Sequence, residues 1–235
     1  MRRIMKHRLT QSILAIAFLL AGGPLAEQAC AQTPAPAPAV EAAYQAILAH
    51  PKVIKTLEDI KADDDTAFAE QKRITEIPAP PYKEKLRAEY YLKRFQELGF
   101  KDAAIDSEGN VIALRKGSGG GRPKLVVTAH LDTVFPEGTD VTVKEKDGAI
   151  LAPGIGDDSR GLAALLSLIK SINANGIATV GDVMFVGTVG EEELGNLRGV
   201  KALFRDHADI DGFISIDGLA LPGSSIRRLG AIATK

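Results

Sequence analysis

Two stretches of this chain place apolar residues at helical spacing. Lys83 to Leu98 carries Leu86, Tyr90, Tyr91, Phe95 and Leu98 on one stripe and closes on Gly99, as an amphipathic helix with a glycine stop does. Ser159 to Ile172 repeats the pattern with Leu162, Leu165, Leu166, Ile169 and Ile172, and Gly176 lies past its end. Further helix is predicted over Glu41 to Leu48, from Val53 towards Thr75 beyond the interruption at Pro51, and over Leu197 to Phe204. Between these stand short apolar runs that read as strands: Asn110 to Arg115, Leu125 to Ala129, Asp182 to Val189 and Gly212 to Ile216. Val141 to Leu151 reads as a hairpin turning at Asp147-Gly148. Ile77 to Tyr82 holds three prolines and must be a loop, and Ser118 to Gly121 is another. Strands alternating with helices predict an α/β fold.

The two ends of the chain depart from this pattern. Arg2, Arg3, Lys6 and Arg8 precede an apolar run, Ile13 to Ala21, and Ala29-Cys30-Ala31 follows. That order of basic, apolar and small residues is a signal peptide, too short in its apolar part to span a bilayer comfortably. Residues 1–31 are therefore expected to be removed before Gln32, which places the mature chain in the periplasm or outside the cell. Cys30 is the only cysteine, so the mature chain has neither a thiol nucleophile nor a thiolate ligand. Residues 32–40, QTPAPAPAV, read as an extended Pro/Ala linker.

Composition removes some function classes. The chain is 45% hydrophobic and 25% charged with a formal net charge of −1, which describes a soluble globular protein with no general pull towards nucleic acid or anionic lipid. Aromatic residues are few and Trp is absent, so a stacking platform for bases is not expected. No nucleic-acid partner is anticipated, and no membrane partner after signal cleavage.

The chemistry lies where the apolar runs stop. HLDTV (His130 to Val134), GDDSRG (Gly156 to Gly161), GEEELG (Gly190 to Gly195) and ISIDG (Ile214 to Gly218) all place acids, and once a histidine, at such points. Sheets of this class bind ligands beyond the carboxyl ends of their strands. Carboxylates and imidazole suit zinc-like divalent ions, and a pair of such ions needs a shared carboxylate. His130 and Asp132 point the same way on an extended backbone, so one can bind a metal while the other steadies the ring. Asp157 and Asp158 precede a helix; one acid suffices as a cap, and the other is free to bridge two cations. Of the adjacent glutamates, Glu191 and Glu192, one suits a general base and its neighbour a ligand. Asp217 ends a strand, although an Asp-Gly pair alone is a simple turn. DDSRG also looks faintly like the elbow of a serine hydrolase, but Asp157 stands where that motif has its first glycine, and His50 and His207 have no triad context.

In order and spacing these four motifs resemble the zinc aminopeptidase and carboxypeptidase family, which includes peptidase T-like tripeptidases, carboxypeptidase G, aminoacylase and succinyl-diaminopimelate desuccinylase. The resemblance runs from about Glu76 to Gly218. It implies a mixed, mostly parallel sheet flanked by helices, a zinc exopeptidase-like catalytic domain. It implies two zinc ions per complete site (cobalt or manganese as substitutes), with His130, Asp158, Glu192 and Asp217 as metal ligands. Asp158 would be the shared carboxylate, Asp132 the acid orienting His130, and Glu191 the general base. The expected reaction is hydrolysis of a peptide or amide bond through a metal-bound water. The substrate would be a small peptide, or an N-acyl amino acid if the enzyme is a deacylase; a non-catalytic remnant is the alternative outside the enzymes. In that family the last zinc ligand is a later histidine, beyond a smaller lid or dimerisation domain. No histidine follows His207. Residues 41–218 are thus expected to be the N-terminal part of the catalytic domain and 219–235 the start of the lid domain, with a homodimer only where that domain is present.

Overall fold

The structure is a computed structural model and describes residues 36–146 and 149–218, together with the backbone of 233–234. The expected signal peptide, the first part of the linker, the Asp147-Gly148 turn and the segment 219–232 lie outside the described residues. The chain divides into two units, Met1–Gln45 and Ala46–Lys235. Helix α1 (Pro38–Leu48) buries none of its side chains. It begins three residues before Glu41, so Pro38, Ala39 and Val40 belong to a helix and not to the expected extended linker. Proline is at home in a first helical turn, where its missing N–H has no partner to lose.

The second unit opens with α2 (Pro51–Ala62) and α3 (Asp64–Thr75). Sequence periodicity predicted one helix here; the structure divides it at Asp63. That carboxylate accepts a hydrogen bond from Ser167 Oγ at 2.9 Å and pairs with Lys170. Both partners belong to a helix more than a hundred residues away, which is why local pattern did not reveal the break. Helix α4 (Lys85–Glu97), α5 (Ser159–Ala174) and α6 (Arg198–Asp206) follow their predicted ranges within a few residues. A single 3-10 turn, Glu193–Gly195, precedes α6.

The strands are β1 (Ala104–Ile105), β2 (Val111–Arg115), β3 (Lys124–His130), β4 (Lys144–Lys146), β5 (Ala149–Leu151), β6 (Asp182–Thr188), β7 (Gly212–Ser215) and β8 (Ala233–Thr234). Six form one mixed sheet in the order β1-β2-β6-β3-β7-β8, and β4 with β5 makes the expected hairpin. The centre of the sheet is parallel: β3 pairs with β6 from Lys124↔Asp182 to His130↔Thr188, and with β7 from Leu125↔Gly212 to Thr128↔Ser215. Both margins are antiparallel.

Both faces of the sheet are covered, and side-chain alternation assigns them. Val127, Ala129 and Phe185 pack with Tyr91 and Phe95 of α4 and Leu162, Leu165 and Ile169 of α5. Val126, Met184 and Val186 face the other way, against Leu203 and Ile210. Each fully buried Val, Leu, Ile, Phe or Met side chain among these contributes about 1.5–3 kcal/mol before conformational entropy is counted. Gly187 of β6 leaves the space that Tyr91 fills; a Cβ there would lie 2.8 Å from the ring. Among the described residues, no helix is long and apolar enough to cross a membrane.

Candidate metal centre

The register brings the motifs together. Because His130 is level with Thr188 and Thr128 with Ser215, the chain beyond β3, β6 and β7 emerges at one edge of the sheet. That edge carries His130, Glu191, Glu192 and Asp217, as the strand ends predicted.

His130 is 3% exposed. Its Nδ1 lies 3.1 Å from the main-chain oxygen of Asp132 and 3.6 Å from that residue's carboxylate. Its Nε2 lies 2.9 Å from Asp157 Oδ1 and 3.9 Å from Asp217 Oδ1. Burial would push the imidazole down, but hydrogen bonding to Asp132 and Asp157 and the charge of Asp158 hold it well above its ordinary range.

Asp132 is fully buried. Its Oδ1 accepts from Glu191 N and its Oδ2 from Glu192 N, both at 3.0 Å. The residue expected to orient the ring therefore does so chiefly through its backbone oxygen, while its carboxylate holds the backbone of the two glutamates. Burial raises the Asp132 carboxyl, yet the adjacent His130 ring and the hydrogen bonds from the Glu192 and Glu191 amides bring it below the usual value.

Asp158 is where the structure departs from expectation. It is completely enclosed. Its Oδ2 accepts from His130 N at 3.0 Å and its Oδ1 from Gly161 N at 2.9 Å, which caps α5. Burial pushes its carboxyl well up. The oxygen next to the imidazole belongs instead to Asp157. The groups whose ligating atoms all lie within 4.8 Å of one another are His130 with Asp157 and Asp217, and His130 with Glu191 and Glu192. Four of the five acidic or imidazole ligands and bases expected from sequence are thus brought together; Asp158 is not among them, and its neighbour Asp157 stands in its place.

Glu191 and Glu192 are half-buried, and burial raises both, Glu192 to about 6. Sequence reading also missed Arg87, which is fully buried. Its guanidinium donates to Ile77 O through Nε and Nη2 and to Leu131 O through Nη1, at 2.7 to 3.0 Å. Burial lowers it to about 10 despite the opposing charges of Asp132 and Asp158. An arginine on a helix carries no local signal that it will point inward; its partners come from two separate loops.

Residues 126–226 match the sequence profile of peptidase family M20/M25/M40. The chain resembles that family. A Pyrococcus furiosus protein named for LysW-lysine and LysW-ornithine hydrolysis is 33% identical over 132 residues, 56% of this chain and 36% of the relative. The N-formyl-4-amino-5-aminomethyl-2-methylpyrimidine deformylase of Halalkalibacterium halodurans is 29% identical over 128 residues, 49% of this chain and 30% of its own length. Among solved structures, aminopeptidase PepT from Bacillus cereus superposes with a TM-score of 0.56 at 27% identity, over 66% of this chain and 43% of that one. Human carnosine dipeptidase 1 shares the fold, with a TM-score of 0.58 at 16% identity over 70% and 41% of the two chains. The chain spans about a third of the length of the curated relatives it matches. The mixed sheet with flanking helices and the likeness to this hydrolase family agree with the expectation from the four motifs.

Proposed function

We propose that this chain is part of an exported, metal-dependent hydrolase of peptide or related amide bonds. The observation that carries the reading is His130, whose Nε2 lies 2.9 Å from Asp157 Oδ1 and 3.9 Å from Asp217 Oδ1 and whose ring also has ligating atoms of Glu191 and Glu192 within 4.8 Å. The donor set suits zinc-like ions, being one imidazole nitrogen and several carboxylate oxygens. Charge balance agrees, because six acids (Asp132, Asp157, Asp158, Glu191, Glu192 and Asp217) surround one imidazole and one buried arginine, an excess that a divalent cation would neutralise.

His130, Asp157 and Asp217 would hold one ion, and Glu192 with Asp157 a second. Such ions supply Lewis acidity towards a carbonyl oxygen. The protein's own groups do the rest. Asp132 O keeps the proton of His130 on Nδ1, which leaves Nε2 as the ligand. The Asp132 carboxylate fixes the backbone from which Glu191 and Glu192 project. Glu191, raised by burial, would take a proton from water and return it to the departing amine.

Zinc titration followed by hydrolysis of a panel of di- and tripeptides and N-acyl amino acids, with the full-length polypeptide, tests this reading. A protein that takes up no divalent metal would end it. Hydrolysis of N-acyl amino acids alone would favour a deacylase, a reading supported by the name of the Halalkalibacterium relative, an N-formyl deformylase. Export rests on residues 1–31, and a mature protein whose mass retains them would overturn it.

A further inference from the structure

The loop that carries Glu191 and Glu192 follows an unusual path. Its backbone enters the left-handed region at Gly190 (φ 61°), Glu193 (φ 40°), Asn196 (φ 49°) and Leu197 (φ 57°). Three of these are not glycine, so the path persists only where its surroundings impose it. Within the loop, Gly195 N donates to Glu192 O at 2.8 Å and Arg198 N to Gly190 O at 3.1 Å. From outside the loop, the Asp132 carboxylate holds the Glu191 and Glu192 amides, and a second hold comes from the Arg198 side chain.

The stem of Arg198 lies on Gly190: a Cβ built at that glycine would meet Arg198 Cγ and Nε at 2.5 Å. Its guanidinium then crosses to two other parts of the fold. One Nη donates to Glu84 Oε2 at 2.8 Å, at the start of α4. The other donates to Glu108 O at 2.8 Å and Glu108 Oε1 at 3.0 Å, in the turn before β2. The guanidinium carbon is 5.1 Å from the centre of the Tyr82 ring, and the Tyr82 hydroxyl donates to Leu194 O at 2.7 Å. Glu84 closes the circuit by accepting from Tyr82 N at 3.0 Å.

We propose that Arg198 is a positioning residue, which bridges Gly190 to Glu84 and Glu108 and so keeps Glu191 and Glu192 turned towards His130. The inference rests on the reading of those glutamates as base and ligand. It acts at one remove, since the guanidinium's partners are Glu84, Glu108 and the Tyr82 ring and not the groups around His130. A planar fork suits this task better than an ammonium, because two acids on different elements and a carbonyl must be held at once.

The test uses the 235-residue chain as wild type, Arg198→Met, and the triple variant Arg198→Met, Glu84→Gln, Glu108→Gln, which leaves no acid without its partner. Two readouts are taken: amide exchange at Glu191 and Glu192 against Phe185 of β6, and titration with zinc alone. In both variants the Glu191 and Glu192 amides should exchange at least about tenfold faster while Phe185 is unchanged, because only the local opening is affected. Zinc affinity should fall about 10–100-fold, the usual cost of losing support behind a ligand. The triple variant should recover melting temperature and neither loop protection nor zinc affinity. Wild-type protection of the two amides, or zinc affinity restored in the triple variant, would overturn the proposal and leave Arg198 a merely structural ion pair. A wild-type chain that takes up no zinc would refute the metal reading by itself, and the exchange comparison then decides the role of Arg198. Should Arg198→Met not fold, the triple variant carries both readouts.

Discussion

Asp158 gives both carboxylate oxygens to backbone donors in a fully enclosed setting, whereas Asp157, half-exposed, presents an oxygen 2.9 Å from His130 Nε2. Adjacent side chains on this turn diverge, so one acid is tied to the backbone while the other faces the imidazole. Asp157→Asn should therefore abolish tight zinc binding with little change in melting temperature. Asp158→Ala should cost about 1–3 kcal/mol, since it removes the cap of α5 and leaves two buried N–H groups without acceptors. Zinc titration and urea unfolding of both variants check the pair; the opposite assignment would return the shared position to Asp158. Glu191→Gln makes a second residue-level prediction. The variant should retain its metals, while turnover in the full-length polypeptide falls by at least about 10²-fold, the lower range for losing a general base. Loss of zinc with normal turnover per bound metal would show that Glu191 is a ligand. Sequence reading could name the pair of acids at 157 and 158, but rotamer and burial choose between them, and neither is written in a local motif.

At the scale of elements, the strand ends were the legible part. β3, β6 and β7 each finish where an apolar run meets an acid or histidine, because a buried parallel strand tolerates polar side chains only where it leaves the sheet. What joins those ends was less visible. Arg87 of α4 ties Ile77 O of the proline loop to Leu131 O beside His130 and places a positive charge next to Asp132 and Asp158. Arg87→Met should destabilise the protein by about 3–5 kcal/mol, the range found when one member of a buried charged set is removed. Thermal or urea unfolding measures it. A change under 1 kcal/mol would mean that the two loops hold their places without the guanidinium. The break between α2 and α3 at Asp63 has the same character, as its partners Ser167 and Lys170 arrive from α5.

For the whole molecule, each donor group among the described residues makes use of the same imidazole, His130. On the proposed reading, His130, Asp157 and Asp217 would give one ion three protein ligands, a normal catalytic complement, and Glu192 with Asp157 would give a second ion fewer. Native mass spectrometry of the 235-residue chain at stoichiometric zinc should show one tightly held ion; two would mean that a further donor completes the second position. Periodicity, glycine and proline punctuation and the clustering of acids at the ends of apolar runs were enough to establish an α/β sheet with an edge rich in carboxylates beside a histidine, because these depend on local spacing and on the cost of burying charge. Strand order, the antiparallel margins, the inward turn of Arg87, the contacts of Arg198 with Glu84 and Glu108 and the placing of Asp157, not Asp158, beside the His130 ring depend on partners distant in sequence, so only the packed structure decides them.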